Sequence, residues 1–122
     1  MRIFITGEGG MLARAIRQAA AGSQLEILSP SPEVISQVGK YHNFKELDIL
    51  GPHLWTELQQ LKPDLLIHSA AIIGTDHCLA DPNRCVEINL TGTRLVLEAC
   101  QRLEIPIIYF STTATYYPGE KL

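Results

Sequence analysis

Thr6-Gly7-Glu8-Gly9-Gly10-Met11-Leu12-Ala13 is the stretch on which the fold turns. It follows Arg2–Thr6 (RIFIT), a continuous β-branched run of the kind found in strands buried on both faces. It leads into Gly10–Ala21, where Met11, Leu12, Ala15, Ile16 and Ala19 recur at helical spacing and Gly22 stands just past the end. The junction therefore reads strand, turn, helix. Gly7 suits the tight turn, Gly10 a close approach to backbone, and Ala13 tight packing of helix on strand. Backbone N–H groups at a helix N-terminus attract phosphate, so the turn is a candidate pyrophosphate cradle. Glycines that merely shape a turn are the plainer alternative. The absence of G-K-[ST] here excludes a P-loop nucleoside triphosphatase at this turn.

Outward from the turn, short apolar runs alternate with helical patterns. Leu25–Leu28 and Asn43–Leu47 read as a second and a short third strand, with a helix opening between them at Ser31-Pro32-Glu33. Gly51-Pro52 opens another helix with Leu54, Leu58 and Leu61 on one face, closed by Lys62-Pro63. Leu65–His68 is the fourth strand. Asp81-Pro82 starts the longest helix, running towards Leu103, with Val86, Leu90, Val96, Leu97 and Cys100 as its expected buried side. Ile105–Phe110 is the fifth strand. Such alternation predicts an α/β fold: a Rossmann-type, doubly wound parallel sheet of strand order 3-2-1-4-5, with helices on both faces. The ligand crevice then lies between the carboxyl ends of strands one and four. That sets the turn after Thr6 beside the turn after His68.

The composition narrows the function classes. The chain has 122 residues, 46% hydrophobic and 19% charged, which suits one ordinary globular domain spanning 1–122. A net charge of −3 without a basic stripe gives no footprint for nucleic acid and no polybasic patch for a membrane. No apolar run approaches a membrane span, and MRIFITG reads as a strand rather than a signal peptide, so the cytoplasm is the default location. Three cysteines (Cys78, Cys85, Cys100) form no C-x-x-C and read as buried free thiols. Asp76, His77, Cys78, Asp81 and Cys85 fit no metal-ligand spacing, so no metal is expected.

The T-G-x-x-G-x-x-[GA] spacing resembles that of the extended short-chain dehydrogenase/reductases, the NAD-dependent epimerase/dehydratase family. The resemblance continues through Leu47-Asp48-Ile49, Pro63–Ala71, Asn89-Leu90-Thr91-Gly92-Thr93 and Phe110–Tyr117, five ordered matches covering essentially the whole chain. Within that family it looks most like the sugar-nucleotide branch. Gly-Gly-Met-Leu, Asp-Ile-Leu and the Ser-Thr after strand five lean towards dTDP-4-dehydrorhamnose reductases; GDP-fucose synthases and UDP-glucose 4-epimerases are the near alternatives.

The resemblance implies an NAD(P) cofactor held by Gly7, Gly10, Met11 and Leu12 at the first turn. It implies that Asp48, with the Ile49 backbone, meets the adenine, although a polar residue closing a strand is the bland reading. Ala70 and Ala71 match the small residues that let the cofactor lie over the end of strand four, and Ile72 and Ser111 match further cofactor positions. Asn89 matches an Asn that supports this region through backbone hydrogen bonds; an ordinary surface Asn is the alternative. His68 reads as a satisfied core histidine. NAD versus NADP stays open, because Ser29, where the family often has an acid, is neither acid nor Arg, and Arg14 is an ordinary helix arginine unless it meets a 2′-phosphate.

The family's chemistry is hydride transfer at a sugar carbon, with Tyr as acid or base, Lys beside it, and Ser or Thr orienting the substrate oxygen. The Ser/Thr position falls on Thr113, with Thr112 as fallback. Tyr117-Pro118-Gly119-Glu120-Lys121 spells Y-x-x-x-K, but that spacing works only on a helix, and Pro118 and Gly119 oppose one. The Tyr–Lys pair is thus expected to be missing, and the domain truncated before the last strands and the substrate domain. The first reading is the cofactor-binding part of a nucleotide-sugar reductase, epimerase or dehydratase, which meets its sugar only in a complete protein. The alternatives are a non-catalytic dinucleotide-binding regulatory or assembly module, and a half-domain that self-associates through strand five.

Overall fold

In the computed structural model, the residues described are 1–31 and 47–112. Their elements run β1 (Arg2–Thr6), α1 (Met11–Ala20), β2 (Glu26–Leu28), α2 (Leu54–Leu61), β3 (Leu65–His68), α3 (Thr75–Ala80), α4 (Pro82–Val86), a π-helical stretch Glu87–Gly92, α5 (Thr93–Leu103) and β4 (Ile107–Tyr109). The four strands form one parallel sheet in the order β2-β1-β3-β4. Phe4 sits opposite Leu28 on one side and Leu66 on the other, and Ile67 pairs with Ile108. This is the expected order for the strands described. The expected third strand (43–47) and the helix opening at 31–33 lie, apart from Leu47 and Ser31, outside the described residues.

The pleat of β1 sorts its side chains to two faces. Ile3 and Ile5 join Ala13 and Ile67 in a small cluster backed by Ile16 of α1. Phe4 points the other way, into the larger cluster of Leu28 and Leu66 from the neighbouring strands, Leu54 and Leu58 from α2, and Val96 and Cys100 from α5. Helices therefore cover both faces, which is why RIFIT and LLIH carry no polar alternation.

Local chemistry sets the element ends. Gly10 is the extended N-cap of α1, and Gly22 takes φ 79° just past its C-terminus. Lys62 adopts the left-handed conformation (φ 45°) that ends α2, in front of a proline that cannot continue the ladder. The Asp81 carboxylate accepts the Arg84 N–H at 3.0 Å and Pro82 takes the first helical position, so α4 begins where the sequence places it.

The run from Pro82 to Leu103 departs from expectation in its buried face. Val96 and Cys100 are buried, but Val86, Leu90 and Leu97 are exposed. The reason is Gly92. The helix comes so near Ile49 there that a Cβ on Gly92 would lie 2.5 Å from Ile49 Cδ1. That approach turns Gly92, Val96, Ala99 and Cys100 inward and leaves the 86/90/97 stripe outside. The short helix α3 was not foreseen. β4 is shorter than the expected Ile105–Phe110, because Pro106 supplies only its carbonyl, which accepts from Leu66 N–H at 2.9 Å.

Candidate functional site

The site is built where β1 and β3 end side by side. Gly7 has φ 74°, and a Cβ there would come within 2.8 Å of the Ala70 backbone N and Cα. The two turns thus touch backbone to backbone, and Gly7 is required both by its left-handed conformation and by that contact. The Gly10 N–H donates to the Gly7 carbonyl at 2.9 Å and closes the loop, after which α1 opens at Met11. A Cβ on Gly10 would meet, within 4 Å, only that Gly7 oxygen at 3.1 Å, so its outer side is open. Met11 is 87% exposed and Leu12 lies at the surface, while Ala13 is buried against the sheet. The first N–H groups of a helix have no intrahelical partner, and here they face an open approach.

A buried polar network fastens the two turns. The Thr6 hydroxyl and His68 Nδ1 are 2.6 Å apart, and His68 Nε2 lies 2.9 Å from Thr93 Oγ1. Thr6 Oγ1 also accepts the N–H groups of Ser69 (3.2 Å) and Ala70 (3.3 Å), and Ser69 Oγ donates to the Thr6 carbonyl at 2.6 Å. Two accepted bonds fill both lone pairs of the Thr6 hydroxyl, so its proton goes to Nδ1. His68 is then the Nε2–H tautomer, donating to Thr93. At 1% exposure its pKa is lowered by burial, and its ring stacks on Tyr109 with centroids 5.8 Å apart. His68 is a satisfied core histidine, as read. The roles of Thr6 and Thr93 were missed; only the pairing of a strand-end Thr with a strand-end His hinted at them.

The segment after β3 is gripped from the π-helical stretch. Asn89 Oδ1 accepts the Ile72 N–H at 2.8 Å, and Nδ2 donates to the Ile72 carbonyl at 2.9 Å and to Cys85 Sγ at 3.3 Å. Ala70 and Ile72 are half-buried and Ala71 is exposed, leaving a low, small-residue shelf beside the glycine turn. Cys78 and Cys85 form a disulfide with Cα atoms 5.2 Å apart, which corrects the reading of three free thiols; only Cys100 is free, buried, with its pKa pushed up to about 11 by burial. The cause is that α3 and α4 meet at the Asp81-Pro82 corner and bring the two side chains together.

Asp48 uses Oδ1 to accept the Leu50 N–H at 2.9 Å, and its carbonyl accepts from Gly51, so its side chain shapes the turn into α2. Ile49 is buried against Gly92. Ser111 is exposed just beyond β4; Thr113 and the Tyr117–Lys121 segment lie outside the described residues. One buried acid went unnoticed in the sequence. Glu57, 2% exposed, takes the Ser31 N–H and, at 2.9 Å, the Ser31 hydroxyl, pinning the segment that follows β2. A hollow of about 200 Å³ between α2 and α5, lined by Pro52, Trp55, Leu95 and Arg102, shares no residue with these turns.

A parallel sheet with a glycine turn, a helix N-terminus and a small-residue shelf at its switch point is the architecture of Rossmann-type domains. The chain belongs to the RmlD substrate binding domain family, whose model matches residues 1–121. It is 32% identical over 98 residues to GDP-6-deoxy-D-mannose reductase of Pseudomonas aeruginosa, covering 80% of this chain and 29% of that protein. The solved structure of RMD from Pseudomonas aeruginosa complexed with NADPH superposes with a TM-score of 0.71 at 26% identity, over 100% of this chain and 38% of that one. That of dTDP-4-dehydrorhamnose reductase from Bacillus anthracis in complex with NADP gives 0.68 at 22% identity, over 90% and 36%. The resemblance to nucleotide-sugar reductases and dehydratases read from the motifs is borne out. The chain spans 21% to 38% of the length of the curated relatives it matches. Among the described residues no helix is long and apolar enough to cross a membrane.

Proposed function

We propose that this chain is the cofactor-holding part of an NAD(P)-dependent nucleotide-sugar reductase, epimerase or dehydratase. The observation that carries the reading is the backbone contact of Gly7 with Ala70, which sets an uncrowded helix N-terminus beside a small-residue shelf at the sheet's switch point. Family membership and the NADPH- and NADP-complexed neighbours support it. In this reading Met11 and Leu12 present backbone N–H groups to the pyrophosphate, Gly7 shapes the turn and Gly10 leaves the open approach, and α1 adds the positive end of its dipole. Ala70, Ala71 and Ile72 form the surface on which the cofactor rests, and Asn89 fixes that surface by holding the Ile72 backbone. Asp48 and Ile49 border the adenine, and Ser111 stands at the far end of the crevice, beyond β4. Once bound, the nicotinamide supplies or accepts a hydride; the chain's own task is to hold and orient it. Thr113 orients the substrate oxygen, and Tyr117-x-x-x-Lys121 is not the acid–base pair.

The test is calorimetry with NADPH and NADH on the wild-type chain and on Gly10→Val. A branched side chain at Gly10 fills the open approach, and affinity falls by about tenfold or more while the melting temperature stays near wild type. Equal affinity in two folded proteins, or no binding by the wild type, refutes the assignment. We further propose that the chain self-associates along β4, one of the two edge strands of the described sheet, where Ile108, Tyr109 and the following Phe110 are exposed.

A further inference from the structure

The segment that follows the small-residue shelf is held by a disulfide rather than by burial. Helices α3 and α4 bury none of their residues, and across 73–87 every residue is exposed except Cys78 and Cys85, which are half-buried. A segment without a buried apolar face has little of its own to offset the entropy of ordering it. The Cys78–Cys85 bond therefore stands in for a core. Both sulfurs also sit against Ile72 of the shelf. Cys78 Sγ lies 3.9 Å from the Ile72 carbonyl oxygen, and Cys85 Sγ accepts from the same Asn89 Nδ2 that donates to that carbonyl. Asn89 Oδ1 takes the Ile72 N–H at 2.8 Å, so the Ile72 backbone is gripped from a patch of which the disulfide is part. Ile72 in turn follows Ala70 and Ala71, and Ala70 is the residue that Gly7 touches.

We propose that Cys78 and Cys85 form a thiol–disulfide site that sets how firmly the shelf is held, and through it how tightly the chain binds a dinucleotide. The proposal rests on the cofactor site described above and adds redox control to it. The co-reactant is a dithiol. One of its thiolates attacks a sulfur of the pair, the Cys78–Cys85 bond breaks, and the departing thiolate takes a proton. The second thiolate of the reagent then displaces the mixed disulfide. Two electrons and two protons have passed to the protein, which holds two thiols, and the dithiol has become a disulfide. Two thiols cannot stay at bonding distance, so α3 and α4 part, and the new Cys78 S–H is a donor beside the Ile72 carbonyl. The Asn89 grip loosens, the competent shelf is populated for only part of the time, and affinity falls by that fraction. A disulfide oxidant runs the exchange backwards and restores it.

The experiment measures NADPH affinity by calorimetry for wild type treated with oxidised glutathione, wild type treated with dithiothreitol, and the Cys78→Ser/Cys85→Ser variant after either treatment. Melting temperatures confirm that each is folded at the temperature used. Alkylation of the denatured protein and mass spectrometry should find one free thiol in the oxidised wild type, Cys100, and three after reduction. Reduction weakens binding about tenfold, and the variant binds like the reduced chain whatever the treatment. The Ile72 amide, followed by hydrogen exchange without cofactor, exchanges about tenfold faster once the disulfide is open. A disulfide that only braces the fold lowers the melting temperature on reduction and leaves affinity unchanged; that result overturns the proposal. So does a redox response that persists in the variant, or three free thiols in the oxidised wild type. If the variant does not fold, the two forms of the wild type decide. A wild type that binds NADPH in neither state refutes the cofactor site, and an Ile72 amide indifferent to reduction then overturns the control of the shelf as well.

Discussion

His68 shows what a single side chain contributes by staying neutral. Its ring nitrogens are both committed, Nδ1 to the Thr6 hydroxyl and Nε2 to Thr93, and burial lowers its pKa from 6.5. The unfolded chain takes up the proton near pH 6.5; the folded chain resists it. Below that value the unfolded state binds more protons, so stability falls as the pH drops from 6.5 towards the lowered folded value and is unaffected above. Thermal melts between pH 5 and pH 8 should show this acid-side loss in the wild type. His68→Gln, which keeps a polar side chain there, should be less stable at neutral pH but lack that part of the slope. An unchanged slope in the variant refutes the assignment to His68. This network was only partly legible in the sequence. His68 could be read as a core residue from its place in an apolar strand, but its partners stand 62 and 25 positions away, and only the folded register of β1, β3 and α5 brings them together.

At the scale of elements, strand type and order were readable because they rest on patterns confined to a few residues: β-branched runs, the Asp-Pro helix start, the Lys-Pro helix stop. The face of α5 was not, because it depends on how near Gly92 lets the helix approach Ile49, a contact between segments that share no local pattern. The disulfide escaped for the same reason, since it needs the corner between α3 and α4. Edge exposure was foreseeable, and it carries a prediction. Ile108 is 46% exposed on β4. Tyr109 is the poorer probe because its ring lies on His68. Sedimentation at two concentrations should show the wild type associating and Ile108→Lys monomeric, since a charge on an edge strand blocks strand pairing. A wild type that stays monomeric at high micromolar concentration, or a variant that associates equally, refutes edge pairing.

For the molecule as a whole, the glycine turn and shelf were legible as motifs, whereas the acid–base chemistry was not. Pro118 and Gly119 interrupt the helical spacing that Tyr117 and Lys121 need. The 122-residue chain should therefore bind NADPH without oxidising it in the presence of a 4-keto nucleotide sugar. Turnover that is lost on Tyr117→Phe is the outcome that reverses this reading. Measured binding with absent turnover separates holding the cofactor from using it.

The contact of Gly7 with Ala70 also has a kinetic consequence. It joins residues 63 positions apart, so the crevice exists only after a long loop has closed and β1 has found β3. Such nonlocal parallel pairing comes slowly, and a peptide of residues 1–31 would contain every glycine of the turn without containing the crevice. A dinucleotide therefore cannot nucleate this domain. Under the proposed function it would arrive after the sheet has closed and act as a latch on it, slowing its opening in proportion to how fully the crevice is filled.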